Sequence, residues 1–274
     1  MLTFPVGYLS SSNGVDALDS VLSSVCCDLD ATIADSYGGS GQTWANLIAS
    51  PADGAGQTDY DFFRGVDGSS STDDPTFTGT AGNDAAYWLH DGGDFFQIVN
   101  GNTTLLQDAH KTTGALPLTI GWAFRTPGTL TNALAMGTAS SGSDHGWKFF
   151  LLGGGDDGRW YQRDGSVDAV TSMGSDPLIV INTDYLLLVS FDYTAGIFKY
   201  WLNSTTETTE TLISNTTTTN AGQVFQLGAV SGVGHIDNDY RTYGFYMFNE
   251  ILDDTKAALI FSHLETRHNR NYTP

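Results

Sequence analysis

The clearest pattern of hydrophobic positions lies near the C-terminus, in the segment YGFYMFN at 243–249. Because successive side chains of a strand point to opposite faces, both faces of this segment would be apolar. One face would carry Tyr243, Phe245 and Met247, and the other would carry Tyr246 and Phe248. A strand without a polar face is typical of a central, covered position. We therefore predict a buried central strand here.

An amphipathic helix is predicted directly after this strand. Asp253 is a favoured N-cap residue type, and Leu252 before it can pack on an apolar residue in the first turns. The apolar positions then recur at i, i+3, i+4 and i+7, at Ala257, Ile260, Phe261 and Leu264. This spacing places them on one helix face, which we expect to lie on a sheet.

Short strands joined by tight turns are predicted for most of the chain. Asn-Gly occurs at 13 and 100, and Asp-Gly at 53, 67, 91, 157 and 164. Between such turns, 118–125 alternates apolar residues with small or polar ones, which predicts a half-buried antiparallel strand. The segment 185–191 is apolar throughout, which favours a position in the middle of a sheet. Further strands are predicted at 197–202 and 223–230.

Two other segments have distinct patterns. The threonine-rich tract at 203–220 is predicted as either a strand pair at a sheet edge or a surface loop. Near the N-terminus, Val15, Leu18, Leu22 and Val25 have helical spacing, which indicates a short helix.

Several motifs together resemble a known family. In chain order they are SY at 36–37, WANL at 44–47, DDPTF at 73–77, HDGGDFF at 90–96, LTIGW at 118–122, the strand at 186–192 and the closing strand and helix. Residues 29–268 resemble the laminin-G-like branch of the concanavalin A-like jelly rolls, of the type found in bacteriophage virion proteins. The resemblance implies an all-β fold, a two-sheet antiparallel jelly-roll sandwich with a short C-terminal helix. We divide the chain into an N-terminal arm at 1–28 and a jelly-roll domain at 29–274.

Composition limits the partners. The formal net charge is -20, and only 15% of residues are charged, so we expect no binding to nucleic acid. No stretch is long enough to span a membrane, and membrane insertion is not expected. The two cysteines, Cys26 and Cys27, are adjacent, and we expect two free thiols. The N-terminus lacks the pattern of a signal peptide, so we expect synthesis in a bacterial host cytoplasm.

No catalytic site is predicted. Glucan-hydrolysing relatives of the resembled fold carry closely spaced glutamates on one strand, and retaining hydrolysis needs carboxyl groups about 5 to 5.5 Å apart. The glutamates of this chain are Glu207, Glu210, Glu250 and Glu265. The first two are three positions apart, which puts them on opposite faces of a strand. We therefore expect a protein that is not an enzyme.

Calcium is the one cofactor that the sequence suggests. The resembled family often holds Ca²⁺ at loop carboxylates, and this chain offers Asp91 with Asp94 and, separately, the run Asp237-Asn238-Asp239. The alternative for either cluster is that each aspartate caps a tight turn through its side chain. The acidic composition itself has two interpretations, which are solubility in salt and cation binding.

The first fifteen residues contain no charge. The apolar residues among them that we predict to dock on a partner are Leu2, Phe4, Val6, Tyr8 and Leu9. The alternative is a strand or arm packed on its own domain.

Two hypotheses for function follow from the resemblance and the missing catalytic residues. The first is a non-enzymatic virion structural protein of a tailed bacteriophage, displayed on the particle surface as a capsid decoration, head fibre or tail component. Its partners would be capsid or tail proteins and further copies of itself, with a trimer as the expected homo-oligomer. The second is a carbohydrate-binding adhesion module for host surface glycans, with or without calcium.

Overall fold

The computed structural model describes residues 16–129, 134–139, 143–151, 158–174, 179–230, 233–234 and 239–273. Within these ranges the chain forms eighteen strands and two α-helices. The strands are β1 (Val25–Asp30), β2 (Thr43–Trp44), β3 (Phe62–Arg64), β4 (Thr76–Thr78), β5 (Tyr87–Leu89), β6 (Phe96–Ile98), β7 (Leu118–Arg125), β8 (Leu134–Gly137), β9 (His145–Leu151), β10 (Gly158–Asp164), β11 (Asp168–Met173), β12 (Asp184–Asp192), β13 (Ile197–Leu202), β14 (Thr208–Thr209), β15 (Gln226–Leu227), β16 (Ala229–Val230), β17 (Val233–Gly234) and β18 (Arg241–Phe248). The helices are α1 (Thr104–Asp108) and α2 (Asp254–His268), and single 3-10 turns occur at Leu18–Ser20 and Gln57–Tyr60.

Sixteen of the strands form two antiparallel eight-stranded sheets, and β16 and β17 form a separate antiparallel pair. Sheet A has the order β14-β13-β12-β7-β18-β5-β4, with β1 also paired to β18, and sheet B has the order β11-β10-β9-β8-β15-β6-β3-β2. The predicted all-β sandwich with a short C-terminal helix is confirmed. Strand β1 runs across the predicted boundary between residues 28 and 29, and the division into an arm and a domain stays a prediction.

The predicted central strand is β18. It pairs with β7 along one edge, while β1 and β5 share its other edge. The register with β7 shifts between Thr242 and Gly244, which is the mark of a β-bulge. This shift reverses the side-chain alternation, so Tyr243 packs with Tyr246 on the outer face of sheet A. The predicted grouping of Tyr243 with Phe245 was wrong for this reason.

Sheet A is covered by apolar packing on both faces. Between the sheets lies a core that includes Trp122, Phe245 and Phe62. The outer face carries a second cluster, in which Ala123 of β7 packs with residues of α2. Strand β7 is therefore buried on both faces, not half-buried as its alternation predicted, because the helix covers its small side chains.

The remaining sequence predictions have mixed outcomes. Both cysteines are free thiols, as predicted, and all six tryptophans are fully buried. The helix predicted around Leu18 is only the 3-10 turn, and Val25 already belongs to β1. In the threonine-rich tract, only Thr208–Thr209 forms a strand. It pairs with β13 at the edge of sheet A. No helix in the described ranges is long and apolar enough to cross a membrane.

Helix α2 begins and ends as its sequence predicts. The Asp253 carboxylate accepts a hydrogen bond from the backbone N–H of Lys256 at 2.9 Å, and Asn269 ends the helix in the left-handed conformation. The predicted apolar face is buried in the outer cluster of sheet A, and its members are Ala257, Ile260, Phe261 and Leu264.

A buried ionic network joins α2 to β1. The Arg267 guanidinium forms two hydrogen bonds with the Asp28 carboxylate, at 2.8 and 3.1 Å, and one with Asp30 at 3.1 Å. All three side chains are fully buried. Asp30 also lies 2.9 Å from the imidazole of His268 and accepts a hydrogen bond from the Tyr246 phenol. The network thus connects the first described strand, the central strand and the last helix.

The packing of α2 gives a test with a matched control on the same helix. We expect Leu264→Ala to lower the free energy of unfolding by about 2 to 5 kcal/mol, because the leucine is fully buried. Leu259→Ala makes the same change at a side chain that is 47% exposed, and should cost less than about 0.5 kcal/mol. Chemical denaturation measures both values, and equal losses would show that the helix is not docked as described.

Candidate functional site

A polar cavity of about 350 Å³ opens at one end of sheet B. Two loops form its walls: the loop before β3, at 53–59, and the loop after β6, at 100–104. Its polar side chains belong to Asp53, Asp59, Asn100, Asn102, Thr103 and Thr104. We call it the amide cavity, and its size lies at the lower end of the range of about 300 to 1,000 Å³ for ligand pockets.

Local sequence and strand pairing together build this cavity. Asp53-Gly54 and Asn100-Gly101 are turn dipeptides, and both glycines have the left-handed φ values, 83° and 82°, that a side chain would disfavour. The first turn leads to β3 through the 3-10 turn at Gln57–Tyr60, the second turn follows shortly after β6, and β3 pairs with β6 through Phe62 and Ile98. Asp53 and Asn100, which are 47 positions apart in sequence, are thereby brought to the same concave surface.

Hydrogen bonds hold the side chains at the floor of the amide cavity. The Tyr60 phenol donates a 2.5 Å hydrogen bond to the Asp53 carboxylate and lies 3.0 Å from the Thr103 hydroxyl. Burial raises the pKa of Tyr60 far above its usual value, so the phenol keeps its proton. The Thr103 hydroxyl also accepts a hydrogen bond from the backbone N–H of Leu106 and so caps α1. The floor therefore presents pre-oriented polar groups.

The walls carry a mixture of donors and acceptors. The Asn100 amide N–H₂ donates to the Asp59 carboxylate at 3.3 Å and to the Thr58 carbonyl at 3.2 Å. Asn100 is exposed, and its side-chain oxygen accepts no hydrogen bond from the described residues. Asn102 differs, because its amide is held by the backbone of Gln223 and Phe225, both at 2.7 Å. Asn100 and Asp59 are therefore the groups most available to a ligand.

The chemistry of the amide cavity suits hydroxyl groups. A hydroxyl can donate to a carboxylate oxygen or to a free amide oxygen. Across the described ranges, no three histidine, cysteine, aspartate or glutamate side chains are grouped to hold a metal ion. Carboxylates, amides and hydroxyls in one cavity are chemically compatible with a neutral polar molecule.

The four glutamates each have a structural partner. Glu207 pairs with Lys199 at 2.6 Å, Glu210 accepts from the Gly174 backbone and Glu250 pairs with Lys256. Glu265 accepts from the backbone of Tyr272 and Thr273 at 2.9 and 2.8 Å. No two of these carboxylates share a partner among the described residues.

The predicted calcium residues lie at the other end of β6. Asp91 is exposed, and its backbone N–H donates to the Asp94 carboxylate at 2.8 Å, which is a turn interaction. The second oxygen of Asp94 is buried and has no hydrogen-bond partner among the described residues. Burial, together with the charge of Asp91, raises the pKa of Asp94 to about 7. Two carboxylates alone do not complete a calcium site, so calcium stays a prediction.

Two sets of residues remain: predicted residues that lie outside the described ranges, and cavity residues that the sequence did not predict. The five arm residues, Leu2, Phe4, Val6, Tyr8 and Leu9, lie outside the described residues, as do Asp237 and Asn238. The residues of the amide cavity were not predicted as a site. Their sequence signal was present only as two turn dipeptides, Asp53-Gly54 and Asn100-Gly101.

Comparison with known proteins shows a likeness in fold only. No protein-family model matches the sequence, and no curated protein is similar to it. The botulinum neurotoxin serotype D binding domain matches with a TM-score of 0.55 at 12% identity, over 91% of this chain and 53% of that one. A Trypanosoma rangeli sialidase mutant displaying trans-sialidase activity matches with a TM-score of 0.51 at 10% identity, over 94% of this chain and 37% of that one. The chain spans about half of the first and less of the second.

The buried carboxyl of Asp94 predicts a pH-dependent stability. Between about pH 4 and pH 7 the unfolded chain releases this proton while the folded chain keeps it. The free energy of unfolding should therefore fall as pH rises, by up to about 1.4 kcal/mol per pH unit from this group. Denaturation across this range should show a smaller fall in Asp94→Asn than in the original protein.

Asp67→Asn is the control, because Asp67 is an exposed turn aspartate that accepts from the Ser69 backbone. Its profile should match that of the original protein. An unchanged profile in Asp94→Asn would contradict the assignment of a raised pKa.

Proposed function

We propose that this protein is a saccharide-binding module without hydrolytic activity, and that the amide cavity is its binding site. The observation that supports it is the set of side chains that converge there. Asp59 supplies acceptors and the side-chain oxygen of Asn100 supplies a free acceptor, at the rim of an open cavity. Sharing a fold with a toxin binding domain supports a binding role, although that likeness is one of fold alone.

Saccharides fit this cavity better than apolar ligands do. The lining side chains are carboxylates, amides and hydroxyls, and the apolar contribution comes only from Ala55 and the glycine backbone. All six tryptophans are fully buried, so none of them provides an exposed ring on which a sugar could stack. Recognition therefore depends on hydrogen bonds in competition with water, which makes a single site weak. Display of several copies would raise the apparent affinity.

The absence of hydrolysis is part of the proposal. Retaining glycosidases need two carboxyl groups about 5 to 5.5 Å apart on a rigid surface. In the amide cavity, Asp53 is bound by Tyr60 and by the Ala55 backbone, and Asp59 is bound by Asn100 and by the Gly56 backbone. Both carboxylates thus serve to hold the loops, which supports binding and not acid–base catalysis.

We place this module on the surface of a tailed-phage particle as part of the same proposal. Its support is the resemblance of 29–268 to phage-type jelly rolls, together with the uncharged segment before Asp16. In this proposal Leu2, Phe4, Val6, Tyr8 and Leu9 attach the module to a capsid or tail protein or to a second copy. A homo-oligomer there would supply the multivalency that weak saccharide sites need. Presence in purified particles tests this placement.

The saccharide site is tested by binding of the labelled protein to an array of neutral and acidic glycans. We expect saturable retention by a subset of them, and about tenfold weaker retention of neutral glycans by Asn100→Ala. Asn100 does not have a positive φ, so alanine is compatible with its backbone. Repeating the array with Ca²⁺ and with chelator tests calcium dependence.

Asn215→Ala is the matched control, because Asn215 lies outside the cavity and donates to the Val167 carbonyl. It should leave retention unchanged. Release of sugar from any glycan on incubation would contradict the non-enzymatic part of the proposal. Failure of the original protein to retain any glycan would overturn its binding part.

A further inference from the structure

A second polar cavity, of about 240 Å³, lies at the opposite end of the strands from the amide cavity. It is formed where β5 and β7 end and where β12 and β18 begin. Residues that matter for its chemistry are Leu89, Arg125, Pro127, Asn182, Asp239 and Arg241. We call it the arginine cavity.

Strand register places its two arginines side by side. Arg241 of β18 pairs directly with Arg125 of β7 on one side and with Leu89 of β5 on the other. Directly opposed like charges destabilise a sheet. This pair therefore costs stability unless a negative group compensates it.

Carboxylates among the described residues compensate the positive charge of the two paired arginines only in part. One Asp184 oxygen lies 3.1 Å from the Arg125 guanidinium and 3.5 Å from that of Arg270, and its other oxygen accepts from the Tyr243 phenol. A single carboxylate thus serves two guanidiniums. The Arg241 guanidinium lies 4.7 Å from the centre of the Tyr87 ring, and it has no hydrogen-bond or ion-pair partner among the described residues.

Charge and geometry define the ligand. Among the described residues, Arg125, Arg241 and Arg270 stand against the carboxylates of Asp184 and Asp239, a local balance of one positive charge in a chain of net charge -20. A guanidinium presents a planar fork of donors that matches a carboxylate. A monoanion would balance this positive charge, whereas a dianion would leave the site with an excess negative charge.

The other walls suit the ring that carries such a carboxylate. The Asn182 amide and the Asp239 carboxylate can pair with hydroxyls, and Leu89 and Pro127 offer apolar contacts to ring C–H groups. We propose that the arginine cavity binds the carboxylate of an acidic saccharide through Arg241 and Arg125. In taking a saccharide as the ligand, this proposal rests on the proposed function, but it assigns a different site.

The test uses an array on which carboxylated saccharides stand beside their neutral and sulfated counterparts. The original protein should retain the carboxylated members, and Arg241→Gln should retain them about tenfold or more weakly, since a charge-assisted hydrogen bond is lost. Arg125→Gln should have the same direction of effect. Thermal melts check that both variants fold. If one variant does not fold, glycan retention by the other variant decides the test.

Each cavity serves as the control for the other. Arg241→Gln should leave retention of neutral glycans unchanged, and Asn100→Ala should leave retention of carboxylated glycans unchanged. Carboxylated glycans retained equally by the original protein and both arginine variants would overturn the arginine site alone. Retention of only neutral or only sulfated glycans by the original protein would also overturn the arginine site alone. No retention of any glycan would overturn both this inference and the proposed function.

Discussion

The buried interaction of Arg267 with Asp28 and Asp30 is the constraint on which the outer half of the molecule depends. It joins α2 to β1 across 239 residues of sequence. Removing charges from water costs several kcal/mol per ion, and this cost is recovered only with good geometry and further hydrogen bonds. Here the guanidinium is bidentate to Asp28, and the Asp28 carboxylate also accepts the backbone N–H of Leu18. Loss of either partner would leave an uncompensated buried charge.

Asp30 shows how the network is completed. Burial acts to raise the pKa of Asp30, but His268 and Arg267 outweigh it, and the pKa lies below its usual range. Its carboxylate also accepts from the Tyr246 phenol, which reaches it beside Gly244. A Cβ at Gly244 would lie 1.9 Å from the Tyr246 phenol oxygen, so only glycine leaves this path open. The bulge in β18 and the ionic network are thus parts of one arrangement.

The ionic network and helix α2 hold the strands of sheet A in place, and the two cavities lie at strand ends. With α2 packed on its outer face, sheet A is covered on both sides, and the amide and arginine cavities both lie where strands give way to loops. The amide cavity uses loops next to β3 and β6, and the arginine cavity uses the ends of β5, β7, β12 and β18. The two cavities differ in charge, because one is lined by aspartates and amides and the other by two arginines.

Local sequence patterns predicted the elements but not the contacts between distant segments. The apolar spacing of Ile260 and Leu264 and the N-cap at Asp253 were sufficient to predict α2, because both signals are local. Burial of Ala123 could not be predicted, since it depends on a helix more than 100 residues later. The amide cavity has the same limitation: Asp59 and Asn100 are turn residues individually and form a site only after β3 pairs with β6. Charge pairs such as Asp28 with Arg267 leave no local signal at all.

The central claim is that saccharides bind in the amide cavity, and the most direct measurement is a crystal structure of the protein with a neutral glycan that it retains. The account predicts sugar density between the loops at 53–59 and 100–104, with a hydroxyl within hydrogen-bond distance of the Asp59 carboxylate and the Asn100 amide. Well-defined sugar density elsewhere on the sandwich, with this cavity filled only by water, would contradict it.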